Sequence, residues 1–240
     1  MKSYDNFLFD LYGTLVDIHT DEEDPILWRQ MSVLLQTEGI NITPEALHKK
    51  YLTTIHTLES KAKDRLGSGV EIDIKNVFIS FYDGLSQNPS DEKIDRLAHI
   101  FRILSTHKLR LFPGVSEMLM ELNATGKKVF LLSNAQTLFT MPELCALQLE
   151  QYFDGIVISS AEGYKKPDRR LYRLVIERYS LNPQKTVMVG NDDVADCWGA
   201  ADAGLDSMYI YTEQSPLRRN PLPDNCVELK KISDLLSIKI

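Results

Sequence analysis

Apolar residues fall into two rhythms along this chain. Near the start, Phe7-Leu8-Phe9 runs without polar alternation into Asp10, the pattern of a strand buried on both faces in a parallel sheet. From about 24 to 106 the spacing is helical, with hardly any β signal. It predicts a helix over 25–35 that opens on proline and stops at Gly39, and a second from Thr43-Pro44 to Leu66 and Gly67. Two more are expected over 73–85 and 91–104, the last entered through Ser90. From 109 onward strand and helix alternate. A helix follows Pro113-Gly114, and strands are expected at 127–134, 155–159, 185–190 and 207–211. Helices lie between them at 137–149 (with Pro142 inside), at 168–180 and in a short run ending at Gly204. A last strand and helix follow the Pro-rich loop 215–224.

Alternation of this length implies a parallel sheet with right-handed crossovers, a three-layer α/β/α core. The helical stretch then reads as an insertion after the first strand. The expected division is a core of 1–18 and 109–240 with a helical-bundle cap of 19–108. The cap would sit over the carboxyl ends of the strands, where it can exclude water. Its aromatics Trp28, Tyr51, Phe78, Phe81, Tyr82 and Phe101 read chiefly as the core such a bundle needs.

Composition narrows the class without naming a chemistry. A chain of 240 residues, 43% hydrophobic, can bury one large core or a core plus an insertion. Net charge is −7 with pI near 5.3, and the two signs are interspersed, so no nucleic-acid groove is expected. No apolar run approaches the roughly 20 residues of a membrane span, and Asp5 and Asp10 interrupt the apolar start, unlike a secretory leader. Cys145, Cys197 and Cys226 form no Cys-x-x-Cys pair and read as free thiols of a cytoplasmic protein. His19, His48, His56, His99 and His107 show no metal-ligand spacing. No pattern speaks to oligomeric state.

Polar residues collect where the expected strands end. The first strand delivers Asp10, Tyr12 and Thr14, and the next core strand Ser133 and Asn134. Lys165-Lys166-Pro167-Asp168 stands before a helix, and Asn191, Asp192, Asp193 and Asp196 follow the strand ending at Gly190. Singly, each could cap a helix or sit in solvent. Together, on one edge of a parallel sheet, they suit a carboxylate nucleophile that forms a covalent ester or acyl phosphate. Lys166, with the Thr14 and Ser133 hydroxyls, would offset an anionic group. Asp10 with the 191–196 cluster offers the hard oxygens that Mg²⁺ takes.

These residues resemble the motifs of the haloacid dehalogenase (HAD) superfamily. Asp10-Leu11-Tyr12-Gly13-Thr14-Leu15 is similar to its first motif and Leu132-Ser133-Asn134 to its second. Lys166-Pro167-Asp168 resembles its third, and the run Val189 to Asp196 its fourth. The resemblance implies a Rossmann-like core, a helical cap and Asp10 as nucleophile. It further implies Ser133, Asn134 and Lys166 at the substrate's anionic group, and Mg²⁺ on Asp10, Tyr12, Asn191, Asp192 and Asp196.

Two departures pull apart. Phosphatases of that superfamily carry a second aspartate where Tyr12 stands, and a phenol of reference pKa about 10 is a poor acid near neutrality. Asp-x-Tyr-Gly-Thr resembles the 2-haloacid dehalogenases instead, and Trp28-Arg29-Gln30 looks like the context of their halide-side arginine, although Arg29 equally suits a solvated helix face. The fourth motif, acidic at Asp192, Asp193 and Asp196, leans to the metal-binding phosphatases. The expectation is a Mg²⁺-dependent phosphatase acting on a small anionic metabolite. A metal-independent 2-haloacid dehalogenase and a catalytically weak phospho-ligand binder stand as alternatives.

Overall fold

In the computed structural model, which describes residues 3–84, 89–218 and 220–237, Phe7 and Phe9 pack into one apolar layer and Leu8 into another. They form β1 (Asn6–Phe9), and both layers bury it, as a strand with no polar alternation requires. The chain continues through β2 (Val16–Thr20), α1 (Pro25–Thr37), α2 (Pro44–Leu66), α3 (Lys75–Ser80), α4 (Asp91–Ser105) and β3 (Thr106–Leu111). Then come α5 (Val115–Ala124), β4 (Lys128–Ser133), α6 (Thr137–Ala146), β5 (Gly155–Ile158), α7 (Ser159–Glu162) and α8 (Arg169–Arg178). The rest comprises β6 (Thr186–Gly190), a π-turn segment (Asp193–Trp198), α9 (Gly199–Asp202), β7 (Asp206–Ile210), β8 (Cys226–Leu229) and a 3₁₀ turn (Ile232–Ser237).

Six parallel strands form one sheet in the order β5-β4-β1-β6-β7-β8. Chain order runs outward from β1 through β4 to β5 on one side, and through β6, β7 and β8 on the other. The carboxyl end of β1 therefore lies at a switch point of the topology, where open α/β sheets bind ligands. One face of the sheet packs on α5, α6 and the C-terminal turn, the other on α8 and α9. This is the three-layer α/β/α architecture.

The helical stretch has a core of its own. Leu27, Trp28, Met31 and Leu35 of α1 meet Tyr51, Phe78, Ile94 and Phe101, and Phe139 of α6 joins them from the sheet side. The six aromatics named from the sequence are all buried there. Two expectations need correction. The helix read over 73–85 is α3 alone, Lys75–Ser80, followed by a turn to Gly84; 85–88 lie outside the described residues. An unexpected two-stranded antiparallel ribbon, β2 with β3, joins the helical stretch to the sheet. Its alternation is masked because Asp17, Lys108 and Arg110 bond to one another across it, Lys108 and Arg110 meeting Asp17 at 2.8 and 2.9 Å. Among the described residues no helix is long and apolar enough to cross a membrane.

Candidate active site

β1 ends at Asp10, whose backbone N–H still donates to Val189 O of β6 at 2.9 Å. The chain then reverses through Gly13 at φ 84°, where a Cβ would stand 2.3 Å from Asn191 Nδ2; only glycine fits. The turn brings the buried Thr14 hydroxyl back over Asp10. Its Oγ1 lies 3.0 Å from Asp10 Oδ2 and 3.2 Å from Asn191 Oδ1.

Lys166 is the pivot. Its side chain is 1% exposed, and Nζ donates to Asp10 Oδ1 at 2.8 Å and to Asp196 Oδ1 at 2.7 Å. Burial opposes its charge, but the two carboxylates outweigh that and hold its pKa above the ordinary lysine value. For Asp196 the larger influence is burial, which raises its pKa against the pull of Lys166. The Asn134 side chain clamps the lysine's backbone, accepting from Lys166 N at 2.7 Å and donating to Lys166 O at 2.9 Å. The Lys166–Pro167 peptide bond is cis.

β6 supplies the other wall. Asp192 Oδ1 caps the π-turn through Val194 N and Ala195 N, both at 2.8 Å, and Asp192 N donates to Asp196 Oδ2 at 3.0 Å. Tyr172 OH holds the same turn through Ala195 O at 2.6 Å. Ser133, at the end of β4, is 1% exposed, and its Oγ has no hydrogen-bond partner among the described residues. A buried hydroxyl left open in a cleft is a donor held ready for a ligand oxygen.

Asp10, Tyr12, Ser133, Asn134, Lys166, Asn191, Asp192 and Asp196 thus share one cleft of about 170 Å³, with Gln214 and Pro216 at its rim. Arg29 does not join them. It is exposed on α1, because Leu27, Trp28, Met31 and Leu35 take that helix's inward face. Tyr12 lines the cleft, but its hydroxyl is spent elsewhere: it donates to Glu143 and lies 3.0 Å from Thr140 Oγ1. Burial first, then the Glu143 charge, raises the phenol's pKa well above its ordinary value. Glu143 in turn accepts from Arg102 Nε at 2.6 Å, so a nearly buried ion pair ties α4 to α6 beside the nucleophile's loop.

A family model of haloacid dehalogenase-like hydrolases matches residues 4–204. The chain belongs to that family. Over its whole length it is similar to a phosphoglycolate phosphatase of Nitrosococcus oceani, 27% identical over 245 residues, covering 99% of this chain and 98% of the relative. A glyceraldehyde 3-phosphate phosphatase of Methanothermobacter thermautotrophicus is 29% identical over 131 residues, 55% of this chain and 58% of the relative. The chain thus spans little more than half of that relative's length. Its fold resembles a 2-haloacid dehalogenase of Pseudomonas syringae, with TM-score 0.64 at 21% identity over 98% of this chain and 97% of that one. The two relatives matched by sequence are named as phosphatases, and the solved structure as a dehalogenase.

In this HAD-like hydrolase, Asp10, Asp192 and Asp196 share the cleft with one ammonium, that of Lys166, an excess of negative charge that a cation would offset. Among the described residues no three His, Cys, Asp or Glu side chains form a metal cage. The set suits an ion that completes its shell with carbonyl, amide, substrate and water oxygens, as Mg²⁺ does. Sequence reasoning missed Arg102, Glu143 and Thr140. The available signal was Arg102 itself, a charge beside the apolar stripe Ile94, Leu97, Ala98 and Phe101 of α4.

Proposed function

We propose that this protein is a Mg²⁺-dependent phosphatase of small anionic phosphate esters, acting through a covalent intermediate on Asp10. The reading is carried by the cleft's charge: three carboxylates, Asp10, Asp192 and Asp196, line it with one buried lysine, which pairs with two of them, and Asn191 adds a further hard oxygen. A haloacid dehalogenase has no use for a cation there, and Arg29 lies away from the cleft.

One Asp10 oxygen attacks phosphorus and the ester P–O bond breaks, leaving an aspartyl phosphate. Water then attacks phosphorus, returning free Asp10 and inorganic phosphate. Lys166 orients Asp10 and offsets charge on the phosphoryl oxygens, and the open Ser133 hydroxyl donates to one of them. Mg²⁺ held by Asp10, the Tyr12 carbonyl, Asn191 and Asp192 would neutralise charge developing at phosphorus. Asp196 acts through Lys166, since its two oxygens accept from that ammonium and from Asp192 N. Tyr12 is not the proton donor, because its hydroxyl is committed to Glu143; water serves that step. The helical unit 19–108 acts as the cap over the core 1–18 and 109–240, in a cytoplasmic enzyme.

The test is release of phosphate from a panel of esters, and of halide from 2-haloacids, with Mg²⁺ and with chelator. Expected are phosphate release that disappears in chelator and returns with Mg²⁺, its loss in Asp10→Asn, and no halide. Phosphate release undiminished by chelator would overturn the metal requirement, and halide release without phosphate release would favour the dehalogenase.

A further inference from the structure

A second cavity, of about 460 Å³, adjoins the cleft and shares Asn134, Lys166, Asp192 and Pro216 with it. A group leaving phosphorus has this volume to extend into. Besides Lys166, Asp192 and the buried Asp193, whose Oδ2 accepts from Asn220 N at 3.2 Å, its walls carry a further carboxylate, Glu71, and a further ammonium, Lys165, neither of which the chemistry above employs.

Their placement is built into the backbone. Val70 and Tyr164 form an isolated antiparallel bridge. Glu71 N donates to Gly163 O at 3.0 Å, and Lys165 N to Gly69 O at 2.9 Å. Side chains alternate across such a pair, so Val70 and Tyr164 take one face while Glu71 and Lys165 share the other. The Glu71 carboxylate is further fixed by Ser159 Oγ at 3.0 Å and Ile72 N at 3.2 Å. Burial raises its pKa, and the charge of Lys165 pulls it back down. The two charges attract without closing to an ion pair among the described residues.

Opposite charges fixed apart on one cavity are the complement of a zwitterion. We propose that this cavity is the leaving-group subsite, Glu71 receiving an ammonium and Lys165 a carboxylate. The substrates it selects are phosphate monoesters of hydroxy-amino acids. For the reaction itself the assignment rests on the phosphatase reading above, but it is tested by binding alone.

In the turnover-deficient Asp10→Asn protein with Mg²⁺ present, calorimetric titration compares O-phosphoserine, phosphoglycolate and O-phosphoethanolamine. O-phosphoserine is expected to bind at least tenfold more tightly than either single-charge ester. Adding Glu71→Gln, which keeps an acceptor for Ser159, should weaken the two ammonium-bearing esters at least tenfold and leave phosphoglycolate unchanged. Adding Lys165→Met should weaken the two carboxylate-bearing esters and leave O-phosphoethanolamine unchanged, a test that stands even where the Glu71 variant does not fold. Equal binding of the three esters, or loss of all three alike in both variants, would overturn the subsite. Absence of phosphate release from every ester in the assay above overturns the phosphatase reading instead.

Discussion

Lys166 shows how one side chain can hold a site together and run it. Its ammonium is the common partner of Asp10 and Asp196, both buried. Lys166→Met leaves two carboxylates face to face without a counter-charge. The expected outcome is loss of turnover together with roughly 3–5 kcal/mol of stability, read by urea unfolding at pH 7. Asn134→Ala removes both clamps on the Lys166 backbone and should cost about 1–3 kcal/mol. Because it acts through Lys166, kcat should fall more than KM rises, and Asn134→Asp should restore only the bond from Lys166 N. Eight of the residues that meet at the cleft were legible in the sequence: Asp10, Tyr12, Ser133, Asn134, Lys166, Asn191, Asp192 and Asp196. Each stands just past an apolar run or beside a proline, so local pattern was enough. Arg29, left by the sequence between a halide-side arginine and a solvated one, takes the solvated face, to which the spacing of Leu27, Trp28, Met31 and Leu35 assigns it. The partners of Tyr12 were illegible. Glu143 lies 131 residues from it, and Arg102 a further 41 from Glu143, a separation no local periodicity reports.

Between elements, polar contacts do the joining. Arg102 and Glu143 are 15% and 8% exposed as they tie α4 to α6. Arg102→Met would strand the Glu143 charge against Tyr12, so a loss of about 3–5 kcal/mol is expected. The double variant with Glu143→Gln should recover a substantial part of it in denaturant melts. The ribbon depends on Asp17, which accepts from Lys108, Arg110 and, at 2.6 Å, Gln214 Nε2. Its hydrogen bond from Lys108 is the chief cause of a lowered pKa, with burial opposing. A carboxyl with a depressed folded-state pKa stabilises above its unfolded value, about 4, and loses that contribution as pH falls through the folded value. The stability difference between the parent and Asp17→Asn should therefore stay constant from pH 7 to about 5 and shrink towards pH 3. The helices and parallel strands were readable because their apolar periods are long or unbroken. The ribbon was not, because its short strands carry charges that pair with each other and not with the core.

At the scale of the molecule, a site made at the switch point of a parallel sheet draws on three separate strand ends, those of β1, β4 and β6, and on the loop before α8. Ligand binding there should register as global stability. Mg²⁺ at 100 times its Kd is expected to add about 2.7 kcal/mol, visible as a rise in melting temperature that Asp192→Ala abolishes and Arg29→Ala leaves intact. The ribbon has a consequence of another kind. β2 leaves the sheet side and β3 returns to it as paired neighbours, with Thr20 opposite Thr106. The whole helical block is thus spliced in at what is geometrically the tip of a hairpin. Replacing 21–105 with a short Asn-Gly turn should leave a continuous hairpin on an intact sheet, once Phe139 and Glu143, exposed by the excision, are made polar and neutral. Such a miniature would show whether the lineage of this fold could have begun as a bare sheet that later acquired its helices as a single cassette.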